Sequence, residues 1–335
     1  MIAIRNVYTS FVSMRLGIFI MASMLVIFSG LKAQTVKTVI IDAGHGYPTL
    51  NEQGKYSYEA DLDLIYGQLL AKKINDSLPD IKVLLTRNDR YDAGHIANPN
   101  AANRYRAQFA NENHGDLFVS IHCNGDPAVT YSQGSPMVRH SEVSGYKTIV
   151  YYTGKKKRRR KHTKKEPIYH VWYSPSEVRG TETFIWAVSK NNDKAQFVKD
   201  NPDQDSSSGE LRGEKDSTDS YFDSPEAKIM ATLKTKKYFD RSLMLAQFVE
   251  DKFVDQARHS RGVKQRNEKG IWVLQATAMP SILVETGFIT NPQEEDYMNS
   301  DKGKQEITDA IFDAIKQYII HMNAKKLSQF AGGMH

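Results

Sequence analysis

Val39-Ile40-Ile41-Asp42-Ala43-Gly44-His45-Gly46 is the stretch from which this 335-residue chain is read outward. A β-branched apolar run stops at a histidine between two glycines, the pattern of a buried strand whose end turns sharply. Two other stretches end alike: Ser120-Ile121-His122-Cys123-Asn124 and Ile282-Leu283-Val284-Glu285-Thr286-Gly287-Phe288. In open α/β sheets, ligands gather at the carboxyl ends of strands. Strand ends that deliver His45, His122 and Glu285, with Glu59 at the start of the following helix, describe an α/β metal site. His45, Glu59 and His122 as ligands leave a fourth tetrahedral position for water. Glu285 beside that position would make the site hydrolytic.

The surrounding chain supports an α/β class. Lys37 to Asp42 is the first predicted strand. Ser57 to Asn75 has helical spacing, with Leu62, Ile65, Leu69 and Ile74 close to one stripe. Ile81 to Thr86 and Leu117 to Ile121 read as strands and Ala101 to Asn111 as a helix. This alternation predicts a sheet with helices on its faces. From Gly125 to Arg179 no period is legible. Thr181 to Val188 alternates like a strand, and Asn201 to Asp223 is acidic, Ser-rich and reads as flexible. Ser224-Pro225-Glu226 opens a helix with an N-cap, a first-position proline and an acid in the first turn. That helix is expected to break near Lys236-Lys237 and to end about Ala257. Ile271 to Gln275 and Ser281 to Glu285 are the last predicted strands, and Ile307 to Met322 the closing helix.

Residues 1–33 read as a signal peptide. Arg5 and Arg15 precede the apolar run Leu16 to Leu31, and Leu31-Lys32-Ala33 before Gln34 resembles a cleavage site. The run is short for a membrane span, so membrane contact is expected only through this leader where it is retained. The expected location is outside the cytoplasm, in the periplasm or cell envelope, and no nucleic-acid partner is expected. Residues 34–335 read as one catalytic domain with an insertion over about 125–179 and a candidate regulatory segment over about 201–236. Cys123 is the only cysteine, so no internal disulfide can form. Alternation along a strand turns Cys123 away from the face of His122 and into the core, the alternative being a thiolate ligand.

The formal charge of +6 misleads. It falls to about +3 without the three cations of the leader. It falls to about −6 without the nine cations of residues 155–165, a run with no acid. The basicity is therefore local. The run reads either as a solvated loop, as a contact for anionic groups of the envelope, or as a partner for the acids between Asp203 and Asp219.

These motifs together resemble the zinc-dependent N-acetylmuramoyl-L-alanine amidases of the bacterial cell-separation type. The resemblance rests on Asp42-Ala43-Gly44-His45-Gly46, Glu59, Ser120 to Asn124 and Leu283 to Asn291. It extends to Thr86-Arg87-Asn88-Asp89, Arg104, Asn111, Asp116-Leu117-Phe118, Arg179-Gly180-Thr181-Glu182 and Arg261-Gly262-Val263-Lys264, in order from about Val36 to Ile319. It implies a single catalytic domain built on a twisted, mostly parallel sheet flanked by helices. It implies zinc held by His45, Glu59 and His122, with Glu285 as the catalytic carboxylate. The implied substrate is peptidoglycan, cut between N-acetylmuramic acid and L-alanine in wall remodelling and daughter-cell separation. Such enzymes can carry a helix that blocks the metal, relieved by an activating protein partner. The helix opening at Ser224 occupies that place, and Glu226 is the candidate blocking ligand, against the plain reading of an acid that favours a helix N-terminus. Two rival readings remain: an envelope zinc peptidase, and a non-catalytic peptidoglycan-binding protein on the same fold.

Overall fold

The computed structural model describes residues 35–132, 134–155, 159–201 and 224–332. The expected signal peptide lies outside the described residues, as do nearly all of the acidic stretch and Lys156, Lys157 and Arg158 of the basic run. Residues 36–318 form one compact unit, and Thr35 with residues 319–332 belong to a smaller one. In the smaller unit the Thr35 backbone N–H and hydroxyl both donate to Asn323 Oδ1, at 3.0 and 2.8 Å.

The larger unit is built on a six-stranded sheet. Its strands are β1 (Thr38–Ala43), β2 (Lys82–Leu85), β3 (Leu117–Asn124), β7 (Thr181–Ile185), β8 (Ser260–Gln265) and β9 (Ser281–Phe288), in the spatial order β2-β1-β3-β9-β7-β8. Every neighbouring pair is parallel except β9 with β7. The expected mostly parallel sheet is therefore present, with one reversal. Strands β1, β3 and β9 are buried on both faces, which is why their sequences are continuous apolar runs rather than alternations.

Helices cover both faces. On one side α1 (Glu59–Ser77) lies close enough for Gly67 to sit against Ile41 and Ala43. On the other, Ile40, Phe118 and Leu283 join a cluster with Trp186, Tyr238 and Leu274. That cluster draws on α2 (Pro99–Glu112), α3 (Asn191–Asp200), α4 (Pro225–Asp255) and the short α5 (Trp272–Ala276). Helices α6 (Pro292–Asn299) and α7 (Asp301–Gly332) follow β9.

Two local expectations are corrected, and one strand was not foreseen. Ile271 to Gln275 is not a strand: Trp272–Ala276 is helical, because a five-residue apolar run fits either element once buried. No break interrupts α4 at Lys236-Lys237; lysine is a good helix former, and Thr235 and Tyr238 on either side are buried. Strand β8 carries no legible signal in the sequence, because its residues Ser260–Gln265 are polar and only partly buried at the sheet edge.

The insertion is a second sheet. Strands β4 (Val129–Ser132), β5 (Ser135–Thr153) and β6 (Arg160–Ser174) are antiparallel, in the order β4-β5-β6. Beyond β4 only β5 and β6 continue, as a two-stranded ribbon paired from Val138–Ser174 to Thr153–Arg160. Lys155, Arg159, Arg160 and Lys161 of the basic run lie at its far end.

Candidate active site

The site forms where β1, β3 and β9 end, beside the start of α1. His45 follows β1 with φ of 50°, in the left-handed region that is uncommon for a residue with a side chain. Two buried arginines hold the turn. Arg106 donates to the carbonyls of Ala43 and His45, each at 2.6 Å, and Arg87 to those of Ala43 and Gly44 at 3.0 and 2.7 Å. Arg106 is 2% exposed and balanced by Asp42 and Asp92, each at 2.5 Å. Those two carboxylates outweigh the cost of burial and hold the guanidinium above its ordinary value.

Gly44 is required by space rather than by backbone angle. A Cβ there would lie 2.4 Å from His122 Cε1 and 2.7 Å from Asp63 Oδ2. At Gly46, φ is 148° and a Cβ would meet the Asp92 backbone at 2.4 Å. The glycines of the opening motif thus let β1 end flush against the two side chains behind it.

His45, Glu59 and His122 bring one possible ligand atom each within 4.8 Å of one another. His122 Nδ1 is 2.9 Å and His45 Nε2 3.4 Å from the same oxygen, Glu59 Oε1, and the two rings meet edge to face. The other oxygen of Glu59 is fixed by Asn51 Nδ2 at 2.6 Å and the Glu52 backbone N–H at 3.2 Å. Burial works to raise the Glu59 carboxyl, but His122 and His45 overcome it and hold the group well below the usual carboxylate range. Burial lowers the pKa of His122, which favours the neutral imidazole that ligates metals.

Glu285 is brought to the same place. It lies opposite His122 in the β3–β9 register and opposite Glu182 in the β7–β9 register. It is 5% exposed, its Oε2 has no hydrogen-bond partner, and Oε1 stands 3.8 Å from Arg266 Nη2. Burial pushes its carboxyl well above the usual range, and the charge of Glu59 adds to the effect. The arrangement sets an ionised carboxylate among imidazoles beside a second, buried carboxyl of raised proton affinity.

Cys123 faces the core, with Sγ 3.4 Å from Thr286 Oγ1, and is absent from the ligand cluster. Glu226 is exposed in the first turn of α4, capped by Ser224, and does not belong to the cluster found among the described residues.

Sequence reasoning assigned no role to three contributors, although Glu182 stood within a quoted motif. Arg106 is the buried clamp, whereas Arg104 of the same helix is exposed; the available signal was an arginine in register with Ala102 and Ala110. Asp63, one helical turn after Glu59, is fully buried with both oxygens unpartnered, and burial followed by the charge of Glu59 raises its pKa well above normal. Glu182 accepts from Asn124 Nδ2 at 2.5 Å and Arg261 Nε at 3.1 Å and pairs with Lys264, which joins two of the sequence motifs.

Residues 39–317, which carry this geometry, match the family described as N-acetylmuramoyl-L-alanine amidase. The chain belongs to that family. A cell wall amidase of Bacillus anthracis, itself uncharacterised, is 24% identical over 283 residues, covering 84% of this chain and 35% of its own length. A Buchnera aphidicola relative, named provisionally as an N-acetylmuramoyl-L-alanine amidase, is 23% identical over 87% of this chain and 99% of its own. The crystal structure of an N-acetylmuramoyl-L-alanine amidase from Clostridium difficile 630 aligns over 85% of this chain and 97% of its own, with a TM-score of 0.49 and 22% identity. The family and enzyme class implied by the sequence motifs agree with this membership.

Proposed function

We propose that this protein is a zinc-dependent N-acetylmuramoyl-L-alanine amidase of the cell envelope. What supports it is the convergence of two imidazoles on one buried, ionised carboxylate, next to a second buried carboxyl with a free oxygen. Two nitrogens and one oxygen within 4.8 Å suit a borderline-soft divalent cation that takes imidazole and carboxylate equally well. His45, Glu59 and His122 would hold the zinc, which supplies Lewis-acid polarisation of the scissile carbonyl and acidifies water.

Glu285 does the proton work. Its unpartnered Oε2 is open to accept a proton from the attacking water. The same oxygen returns that proton to the departing L-alanine nitrogen, so the amide leaves as a neutral amine. An amide needs this delivery because its nitrogen is a poor leaving group. Asp63 and Arg106 hold the frame: one lies behind Gly44 and the other fixes the carbonyls that shape the His45 turn. Hydrolysis at this bond detaches stem peptides from glycan strands, and the role we assign is wall remodelling and daughter-cell separation after export.

The test uses the exported chain, without residues 1–33, incubated with peptidoglycan with and without a zinc chelator. Soluble products are read by mass spectrometry. Stem peptides with a free L-alanine amino group, lost with chelator and regained with zinc, are the expected result. Cuts within the peptide would identify the rival peptidase. A folded, zinc-loaded protein that leaves the substrate intact would reject the catalytic reading.

A further inference from the structure

The ribbon of β5 and β6 has no core to protect. Its paired strands run for about 50 Å at 3.4 Å per residue, and most of their side chains are exposed on both faces. A two-stranded ribbon of this kind is marginal by itself in water. One face nonetheless carries Val143, Tyr146, Val150, Tyr152, Tyr169 and Tyr173, each at least 42% exposed. The opposite face carries a run of near-parallel rings, His140 against Trp172 at 5.3 Å and 15°, and Trp172 against His170 at 5.6 Å and 23°. An exposed surface this rich in aromatic side chains marks a contact site. The far end is cationic, with Lys155, Arg159, Arg160, Lys161, Lys164 and Lys165 exposed and Glu166 the nearest acid.

The base of the ribbon is fixed to the catalytic frame. It begins where β3 ends, two residues beyond His122. Asp126 accepts from Ser176 Oγ at 2.7 Å, and its backbone N–H donates to Thr290 at 2.9 Å, which pins both ends of the insertion beside β9. Tyr131 donates its hydroxyl to the carbonyl of Gln53, in the loop whose Glu52 backbone holds Glu59.

We infer that this ribbon is a binding arm for the peptidoglycan polymer, gripping a stretch of substrate beyond the bond being cut. The inference rests on the amidase reading above and adds to it. Exposed rings of tyrosine and tryptophan offer a broad apolar face with a polar edge, which fits the C–H faces and hydroxyl rims of sugar rings. The cationic end complements the free carboxylates of stem peptides, which repeat along the same polymer. Both chemistries occur together on a glycan substituted with acidic peptides.

The experiment separates binding from turnover. Binding is measured by co-sedimentation with insoluble sacculi in a Glu285→Gln background. Turnover is measured in the otherwise native protein on a soluble disaccharide-peptide, too short to reach the arm. Three variants are compared: Tyr146→Ser with Tyr152→Ser and Tyr169→Ser; Arg159→Gln with Arg160→Gln, Lys161→Gln and Lys165→Gln; and a trimmed arm in which Asn-Gly replaces residues 146–167 between the register partners Gly145 and Ile168. Each variant is expected to bind sacculi about tenfold more weakly, the scale of one lost aromatic stacking contact, with unchanged kcat/KM on the soluble substrate. Unchanged sacculus binding by the trimmed arm overturns the inference. So does arm-dependent binding to vesicles of anionic phospholipid that equals or exceeds binding to sacculi. If the soluble substrate is never cut while sacculi still bind through the arm, the amidase reading fails and the arm stands.

Discussion

Glu285 occupies a position where an ionised carboxylate is costly: 5% exposed, one oxygen without a partner, and Glu59 close by. Two consequences can be measured. In the metal-free protein, the folded carboxyl holds its proton above the ordinary value of 4.5. Its contribution to stability is therefore fully present below about pH 4.5 and is lost as pH rises toward the folded value. Glu285→Gln removes that dependence. In chelator, the variant should gain in Tm relative to the parent between pH 4.5 and pH 8, while other groups cancel in the difference; a constant difference across that range would reject the argument. With zinc, the same variant should keep its metal and lose about 10²-fold or more in kcat, the scale of a lost general acid–base. Gly44 argues the complementary point about space. Gly44→Ala drives a methyl into the His122 ring, so zinc affinity, read by chelator competition, should weaken by about tenfold or more, as when the support of a ligand is disturbed.

Elements bring those residues together, and Arg106 shows how. From α2 it reaches Asp42 of β1, the carbonyls of Ala43 and His45, and Asp92 of the loop after β2. Arg106→Ala leaves two buried carboxylates without their cation and should cost about 3–5 kcal/mol, measured by urea unfolding. Arg106→Lys should recover only part of this, because an ammonium cannot reproduce the planar fork. A cost near zero would mean that the clamp is incidental. Such tertiary roles explain what the sequence could and could not disclose. His45, His122 and Glu285 were legible because apolar strands ended in them, and the sheet was legible because β1, β3 and β9 are buried on both faces. Arg106 was not, since an arginine on a helix is ordinarily solvated and only the fold reveals the carbonyls around it. The ribbon was illegible for the opposite reason: with no core on either face, its side chains carry no inside–outside alternation to read. The five-residue α5 misled because burial, rather than periodicity, fixed its conformation.

At the scale of the whole molecule, the three proposed ligands join segments far apart in sequence: His45 after β1, Glu59 at the head of α1 and His122 in β3. A cation bound among them acts as a cross-link that exists only in the folded state, because the unfolded chain does not hold the three together. Binding confined to the native state stabilises by mass action, by about 2.7 kcal/mol when the free ion is a hundredfold above its Kd. The thermal midpoint should therefore climb with zinc concentration, without a plateau while zinc remains in excess of Kd. His122→Ala removes a ligand, so its midpoint should be insensitive to zinc. Glu285→Gln leaves the three ligands in place and should respond like the parent, even though its kcat falls by about 10²-fold or more. That divergence distinguishes a site in which Glu285 handles protons from one in which it is a fourth ligand. If Glu285→Gln lost the zinc response along with activity, Glu285 would have to be counted among the groups that hold the metal.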